Sequence, residues 1–231
     1  MFMHRPSRER GHFDHGWLDT YHTFSFSGYR DPRHMGFRSL RVINEDIVAP
    51  GGGFGEHPHH DMEILTYILS GELQHRDSLG SGDIIRAGQW QRMTAGTGIL
   101  HSEFNPSQNR PVHLLQIWIR PDAPGHTPAY EQRELPAAAD NAWKLIASPD
   151  GREGSMTIHQ DARLLHAKLS PAAALDYRFE NSRHGWLQVA RGSAQLGDLK
   201  LQAGDGVAIS DETSITLQAT SAAEVLLFDL N

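Results

Sequence analysis

No stretch of this chain sustains a helical period. Its apolar residues come instead in short or alternating runs closed by turn residues: Leu40–Ile43, Glu63–Leu69, Asp83–Ala87, Leu114–Ile119, Trp186–Ala190, Gly206–Ile209, Ile215–Leu217 and Glu224–Asp229. Each reads as a strand a few residues long with a turn behind it. Twenty-two glycines and twelve prolines supply the turns that an all-β sandwich or barrel needs. At 231 residues the chain has room for one large domain or two of roughly 100–120 residues. The segment Pro121–Pro136 carries four prolines among polar residues, which predicts an extended inter-domain connection with a brief helix near Glu131–Asn141.

Two halves of the chain repeat one pattern. Tyr67-Ile-Leu-Ser-Gly71 precedes Ala87-Gly88 and a strand; Gln188-Val-Ala-Arg-Gly192 precedes Ala203-Gly204 and the strand Asp205–Ile209. Strand, glycine turn, strand and Ala-Gly turn recur in one order, which predicts two copies of one small barrel. Counting back 14 and 12 residues from Gly71 reaches His57 and His59; the same steps from Gly192 reach Arg178 and Glu180. The second copy therefore lacks the histidine pair.

Composition removes several classes of function. With no cysteine, disulfide scaffolds, zinc ribbons, iron–sulfur clusters and thiol catalysis are excluded. The formal charge of −7 argues against direct nucleic-acid or membrane-surface binding. No signal-peptide core opens the chain and no run of about 18 apolar residues follows, so a cytoplasmic protein is expected. The Arg5–Arg10 cluster reads as a solvated terminus.

Histidine carries the chemical signal: fifteen in all, six of them from His57 to His113. In Gly51-Gly-Gly-Phe54-Gly-Glu56-His57-Pro58-His59-His60-Asp61-Met62-Glu63, His57 and His59 share one face of a strand, about 7 Å apart at Cα. Their imidazoles can converge on one ion at about 2.0–2.1 Å. Pro58 takes the outward position, which suits an edge strand. His101 and Glu103 form a second same-face pair. Two neighbouring strands offering two ligands each build an open site for iron, nickel, copper, manganese or zinc. Glu63 shares the parity of the first pair and reads as a ligand, a partner orienting a histidine, or an ion-paired strand residue. His60, His75 and His113 read as solvated or bonded to backbone; Phe54, Met93, Leu115 and Trp118 read as core or pocket wall.

These segments resemble the cupins. Gly51, His57, His59, Glu63 and Gly71 follow the first cupin motif, with seven residues rather than six before the last glycine. Gly98, His101 and Asn105 follow the second, with Trp90 at its leading glycine and Gly96 at its proline. More narrowly the chain resembles the pirin family. The segments are His22-Thr-Phe-Ser-Phe26, Met35-Gly36-Phe37, Leu40-Arg-Val-Ile-Asn44, His57-Pro-His59, Gly96-Thr-Gly98, His101-Ser-Glu103, Asn105-Pro106 and the closing Glu224–Asp229.

The resemblance implies a bicupin, two tandem jelly-roll barrels. It places a metal-binding domain at residues 1–133 and a degenerate, metal-free one at 134–231. It implies metal ligands at His57, His59, His101 and Glu103, with Glu103 preferred to Glu63, and one divalent ion, Fe(II) first, with Cu, Ni, Mn or Zn as alternatives. It implies a dioxygenase like quercetin 2,3-dioxygenase, acting on a flavonol and O2 and releasing CO; in such a reaction Glu103 either stays a ligand or swings off the metal to act as general base. Phe54, Glu63, Met93 and Trp118 are the expected substrate pocket. The alternative within the family is a non-enzymatic, metal-dependent regulator working through a transcription-factor partner.

Overall fold

The computed structural model describes residues 1–134, 140–180 and 182–231, and these are almost wholly β, with two three-residue 3-10 turns at Ser7–Glu9 and Arg152–Gly154. The chain divides into two compact units, one of Gly11–Gly36 and Leu40–Leu135, the other of Met1–Arg10, Phe37–Ser39 and Pro136–Asn231. Each unit is a jelly-roll barrel of one seven-stranded and one four-stranded sheet.

In the first unit the large sheet runs Ala129–Arg133, Trp90–Thr94, Glu63–Ser70, Val112–Ile119, Leu40–Val48, Leu18–His22, Gly11–Asp14. The small sheet runs Gly53–His59, Ile99–Phe104, Glu72–Asp77, Gly82–Arg86. All of these pairings are antiparallel. Val112–Ile119 is bonded on both edges. Leu18, Val48, Ile68, Val112 and Leu114 of the large sheet close on Leu73 and Ile85 of the small one. Each such side chain taken from water stabilises the barrel by about 1.5–3 kcal/mol before entropy is counted.

The second unit repeats this sheet arrangement except at one edge, where Met156–Thr157 pairs parallel to Lys144–Ser148. Its large sheet runs Phe2–Arg5, Gly206–Ile209, His184–Arg191, Ala223–Leu230, Ala162–Leu169, Lys144–Ser148, Met156–Thr157; its small sheet runs Ala174–Arg178, Ser214–Ala219, Ser193–Leu196, Leu199–Gln202. Glu63–Ser70 and His184–Arg191 are counterparts, and so are Gly53–His59 and Ala174–Arg178. The repeat in the sequence is thus a repeat in the fold. Where the first barrel carries imidazoles, the second pairs Leu175 with Leu217 and Tyr177 with Ile215, with Leu217 and Ile215 in its apolar core and Leu175 and Tyr177 packed against it.

The two equivalent turns demand glycine. Gly71 sits at φ +80 and Gly192 at φ +72. A Cβ on Gly192 would lie 1.9 Å from the Ala222 carbonyl oxygen, which is backbone and has nowhere to go. Gly192→Ala is therefore expected to cost more than the ~1–3 kcal/mol of a strained backbone position alone. Gly154→Ala, at φ +73 with open space around it, should cost only that. Urea denaturation of the two variants separates the effects, and equal losses would refute the close-approach argument.

Four expectations change. Ala129–Arg133 is not connection but an edge strand of the first barrel, paired with Trp90–Thr94. The brief helix near Glu131–Asn141 accordingly gives way to strand through Arg133, and its residues 135–139 lie outside the described residues. Phe2–Arg5, assigned with residues 1–133 to the first domain, completes the large sheet of the second unit against Gly206–Ile209. Arg5 is consequently buried rather than solvated.

Candidate metal centre

The small sheet of the first barrel assembles the histidines by register. Ile99–Phe104 lies between Gly53–His59 and Glu72–Asp77. His101 stands opposite His57 on one side and Asp77 on the other; Glu103 stands opposite Phe54 and His75. Side chains directly across a ladder are about 4.5–5.5 Å apart at Cβ, so the register alone gathers the imidazoles. Between His101 and Glu103 the pairing shifts by one residue, a bulge of the kind that re-aims side chains at sites. Gly53 permits this: a Cβ there would meet the Glu103 carbonyl oxygen at 2.4 Å.

The ligand atoms of His57, His59 and His101 lie within 4.8 Å of one another. Nε2 of His57 is 3.0 Å from Nε2 of His101. Two nitrogens bound at right angles to one ion, each about 2.1 Å from it, would be about 3 Å apart. His57 Nδ1 is 2.8 Å from the Gly55 carbonyl oxygen; an imidazole N–H must donate there, which leaves the Nε2 lone pair for a cation.

Glu103 is buried beside this triad. Its ligand atom groups with those of His75 and His101, so the four sequence-predicted residues fall into two triads that share His101. Gln116 Nε2 donates to Glu103 Oε2 at 2.8 Å, and Trp118 Nε1 donates to Gln116 Oε1 at 3.3 Å. Glu103 Oε1 is buried with no hydrogen-bond partner among the described residues. An orphaned carboxylate oxygen beside three convergent imidazoles fits a divalent first-row ion, and no one such ion in particular.

Burial sets the electrostatics. It pushes the Glu103 carboxyl up to about 7 against the opposing bond from Gln116. It pulls His101 down to about 2 and His59 to about 4, helped by neighbouring imidazoles. His59 and His101 are thus neutral near pH 7 and ready to coordinate.

His57, His59 and Glu103 open onto a cavity of about 360 Å³. Phe54 and Trp118 line it with Leu18 and Phe26. Met93 does not; it is buried with Ile64, Ala95 and Ile99. Glu63 is buried and in neither group of candidate ligands, and Thr94 Oγ1 donates to it at 2.9 Å. Thr20, Asn44, Asp46 and Gln116, not foreseen, add polar groups to the lining. Thr20 Oγ1 donates to Asp46 at 2.5 Å, and burial raises Asp46 to about 6. The available signal was polar residues at inward positions of Leu18–His22, Leu40–Val48 and Val112–Ile119.

His75 corrects the sequence reading most. It is neither solvated nor bonded to backbone but fully buried, with Asp77 Oδ2 3.1 Å from its Nε2. Leu73-x-His75 places it inward on its strand. His60 and His113 are more open, facing Asp61 at 3.3 Å and Glu45 at 2.9 Å respectively.

The chain resembles known proteins along its whole length. A family model described as Pirin matches residues 3–119, and one described as Quercetinase C-terminal cupin domain matches residues 145–230. The chain is 49% identical to a quercetin 2,3-dioxygenase of Escherichia coli K12 over 100% of this chain and 99% of that one. It is 38% identical to a pirin-like protein of Caulobacter vibrioides over 99% of each. The crystal structure of the Escherichia coli bacterial pirin YhhW in complex with nickel(II) superposes with a TM-score of 0.96 at 49% identity, covering 100% and 99% of the two chains.

Proposed function

This chain belongs to the pirin family, and from that membership we propose a metal-dependent dioxygenase that opens a flavonol ring with O2 and releases CO. The observation that carries the reading is the triad of His57, His59 and His101 beside the orphaned Glu103 oxygen, opening into a cavity with aromatic walls. The relatives named quercetin 2,3-dioxygenase support the substrate class. The three imidazoles and Glu103 would hold one divalent ion, Fe(II) among those the set accommodates. When bound, the ion would acidify a coordinated hydroxyl and orient it.

The remaining work falls to the chain's own side chains. Detached from the ion, Glu103 accepts the proton of the flavonol 3-hydroxyl through Oε1, the oxygen with no hydrogen-bond partner among the described residues. Gln116 keeps the carboxyl aimed through Oε2. Phe54 and Trp118 confine a flat aromatic ring. The site lies on a cavity rather than an exposed face, which favours catalysis over a regulatory surface.

Protein reconstituted separately with iron, nickel, copper and manganese is to be incubated with quercetin under air. Loss of the flavonol's visible absorbance with matching CO release is expected for at least one metal. Stoichiometric metal uptake without turnover for any of the four would overturn the proposal.

A further inference from the structure

We infer that His75 and Asp77 form a buried relay that fixes the tautomer of His101 and so aims its Nε2 lone pair at the metal. The inference rests on the metal reading above and extends it to two residues outside the ligand set.

The assignment follows from counting protons. Asp77 Oδ1 accepts the backbone N–H groups of Leu79 at 2.9 Å and Ser81 at 3.0 Å, so a hairpin turn holds this carboxylate in place. Its Oδ2 lies 3.1 Å from His75 Nε2, with both side chains fully buried. A carboxylate accepts, so His75 Nε2 carries the proton and its Nδ1 is a bare acceptor. The one lone pair of that Nδ1 is shared, and Gln91 donates an amide N–H to it from 3.4 Å. His101 Nδ1 also faces His75 Nδ1 at 3.4 Å. With His75 accepting, the proton on that axis belongs to His101 Nδ1. The other nitrogen of His101, Nε2, is then a lone pair.

That lone pair meets another. His57 spends its Nδ1–H on Gly55, and its Nε2 stands 3.0 Å from His101 Nε2. Two lone pairs at that distance repel unless a cation lies between them, so the hydrogen-bond pattern itself calls for one. A metal-bound histidine usually donates its other N–H directly to a carboxylate or carbonyl; here a second histidine intervenes. Tyr130, stacked on His75 with ring centroids 4.6 Å apart, fixes the ring that relays the bond. His75 is on this account a positioning residue, not a ligand.

The test uses chelator-stripped full-length protein reloaded with Co(II). Affinity is read by competition with a chromophoric chelator, and the His101 Nδ1–H as a paramagnetically shifted, slowly exchanging proton. His75→Leu is expected to weaken Co(II) binding about 10–100-fold and to lose the slow proton. Asp77→Asn should weaken binding less, and His75→Gln, whose amide oxygen still accepts, should restore much of both signals. Asp77→Asn and His75→Gln also carry the test should His75→Leu fail to fold. Wild-type affinity and an unchanged proton signal in folded His75→Leu would overturn the relay alone. Two equivalents of Co(II) in the wild type falling to one in His75→Leu would overturn it by making His75 a ligand. Failure of the wild type to take up Co(II) would overturn the metal reading and the relay with it.

Discussion

Replacing His101 by alanine should strip the protein of metal and abolish flavonol turnover together. His101 belongs to both triads, and its Nε2 faces that of His57 at 3.0 Å. Without it, His57, His59 and Glu103 remain, but the Glu103 ligand atom groups with that of His101 and not with those of His57 and His59, so the ion loses the residue that joins them and is expected to leave on dialysis against a chelator. Acceleration of the order of 10⁶-fold or more is what enzymes ordinarily supply, and on this reading nearly all of it depends on the ion. The measurements are elemental analysis after dialysis and CO release, with circular dichroism to show that the barrel still folds. His60→Ala is the control, because its side chain is 81% exposed and outside both triads. Retention of stoichiometric metal and full turnover by folded His101→Ala would refute the site.

The triad was legible because its evidence is local. His57-Pro-His59 puts two imidazoles on one strand face, and His101-Ser-Glu103 does the same on the next, so spacing alone groups them. Register supplied the rest, and register is a non-local property. His75 shows the limit. One histidine in Glu72–Asp77 has no spacing partner, and only the pairing of that strand with Ile99–Phe104 reveals its role. Glu63 and Glu103 both fit strand parity with the histidines, yet Glu63 is engaged by Thr94 while Glu103 keeps an orphaned oxygen. The strand Ala129–Arg133 was hidden for a related reason. Prolines at 121, 124 and 128 announce an irregular approach, but the partner that makes the next residues a strand is Trp90–Thr94, far back in the chain. Barrel repetition, by contrast, was visible at the Gly71 and Gly192 turns, because left-handed backbone in close quarters leaves glycine no substitute.

Glu103→Gln should stabilise the metal-free protein relative to wild type, by an amount that grows with pH. The Glu103 carboxyl titrates at about 7 in the fold against an ordinary 4.5. Below about 4.5 both folded and unfolded chains hold the proton and wild-type stability carries no penalty. Between 4.5 and 7 the unfolded chain releases it while the fold retains it, so wild-type stability falls relative to the variant. Above 7 both are ionised and the difference levels off, at ~3 kcal/mol by 1.36 kcal/mol per pKa unit. His59 and His101 tilt the whole profile the other way. Their pKa values are depressed to about 4 and about 2, so the stability they contribute is full above about 6.5 and is lost as pH falls. Comparing variant with wild type cancels that tilt, whereas Asp46, raised to about 6, repels the Glu103 carboxylate and adds to the difference. The amide keeps the bond from Gln116 through its oxygen, so packing is preserved. Nickel should reverse the order: a bound cation recovers the cost of ionising Glu103, and the wild type becomes the more stable. Urea titrations from pH 4.5 to 8, with and without nickel, read both halves. A difference that stays flat with pH in the metal-free protein would show that this carboxyl ionises freely, and unchanged order with nickel would remove Glu103 from the ligand set.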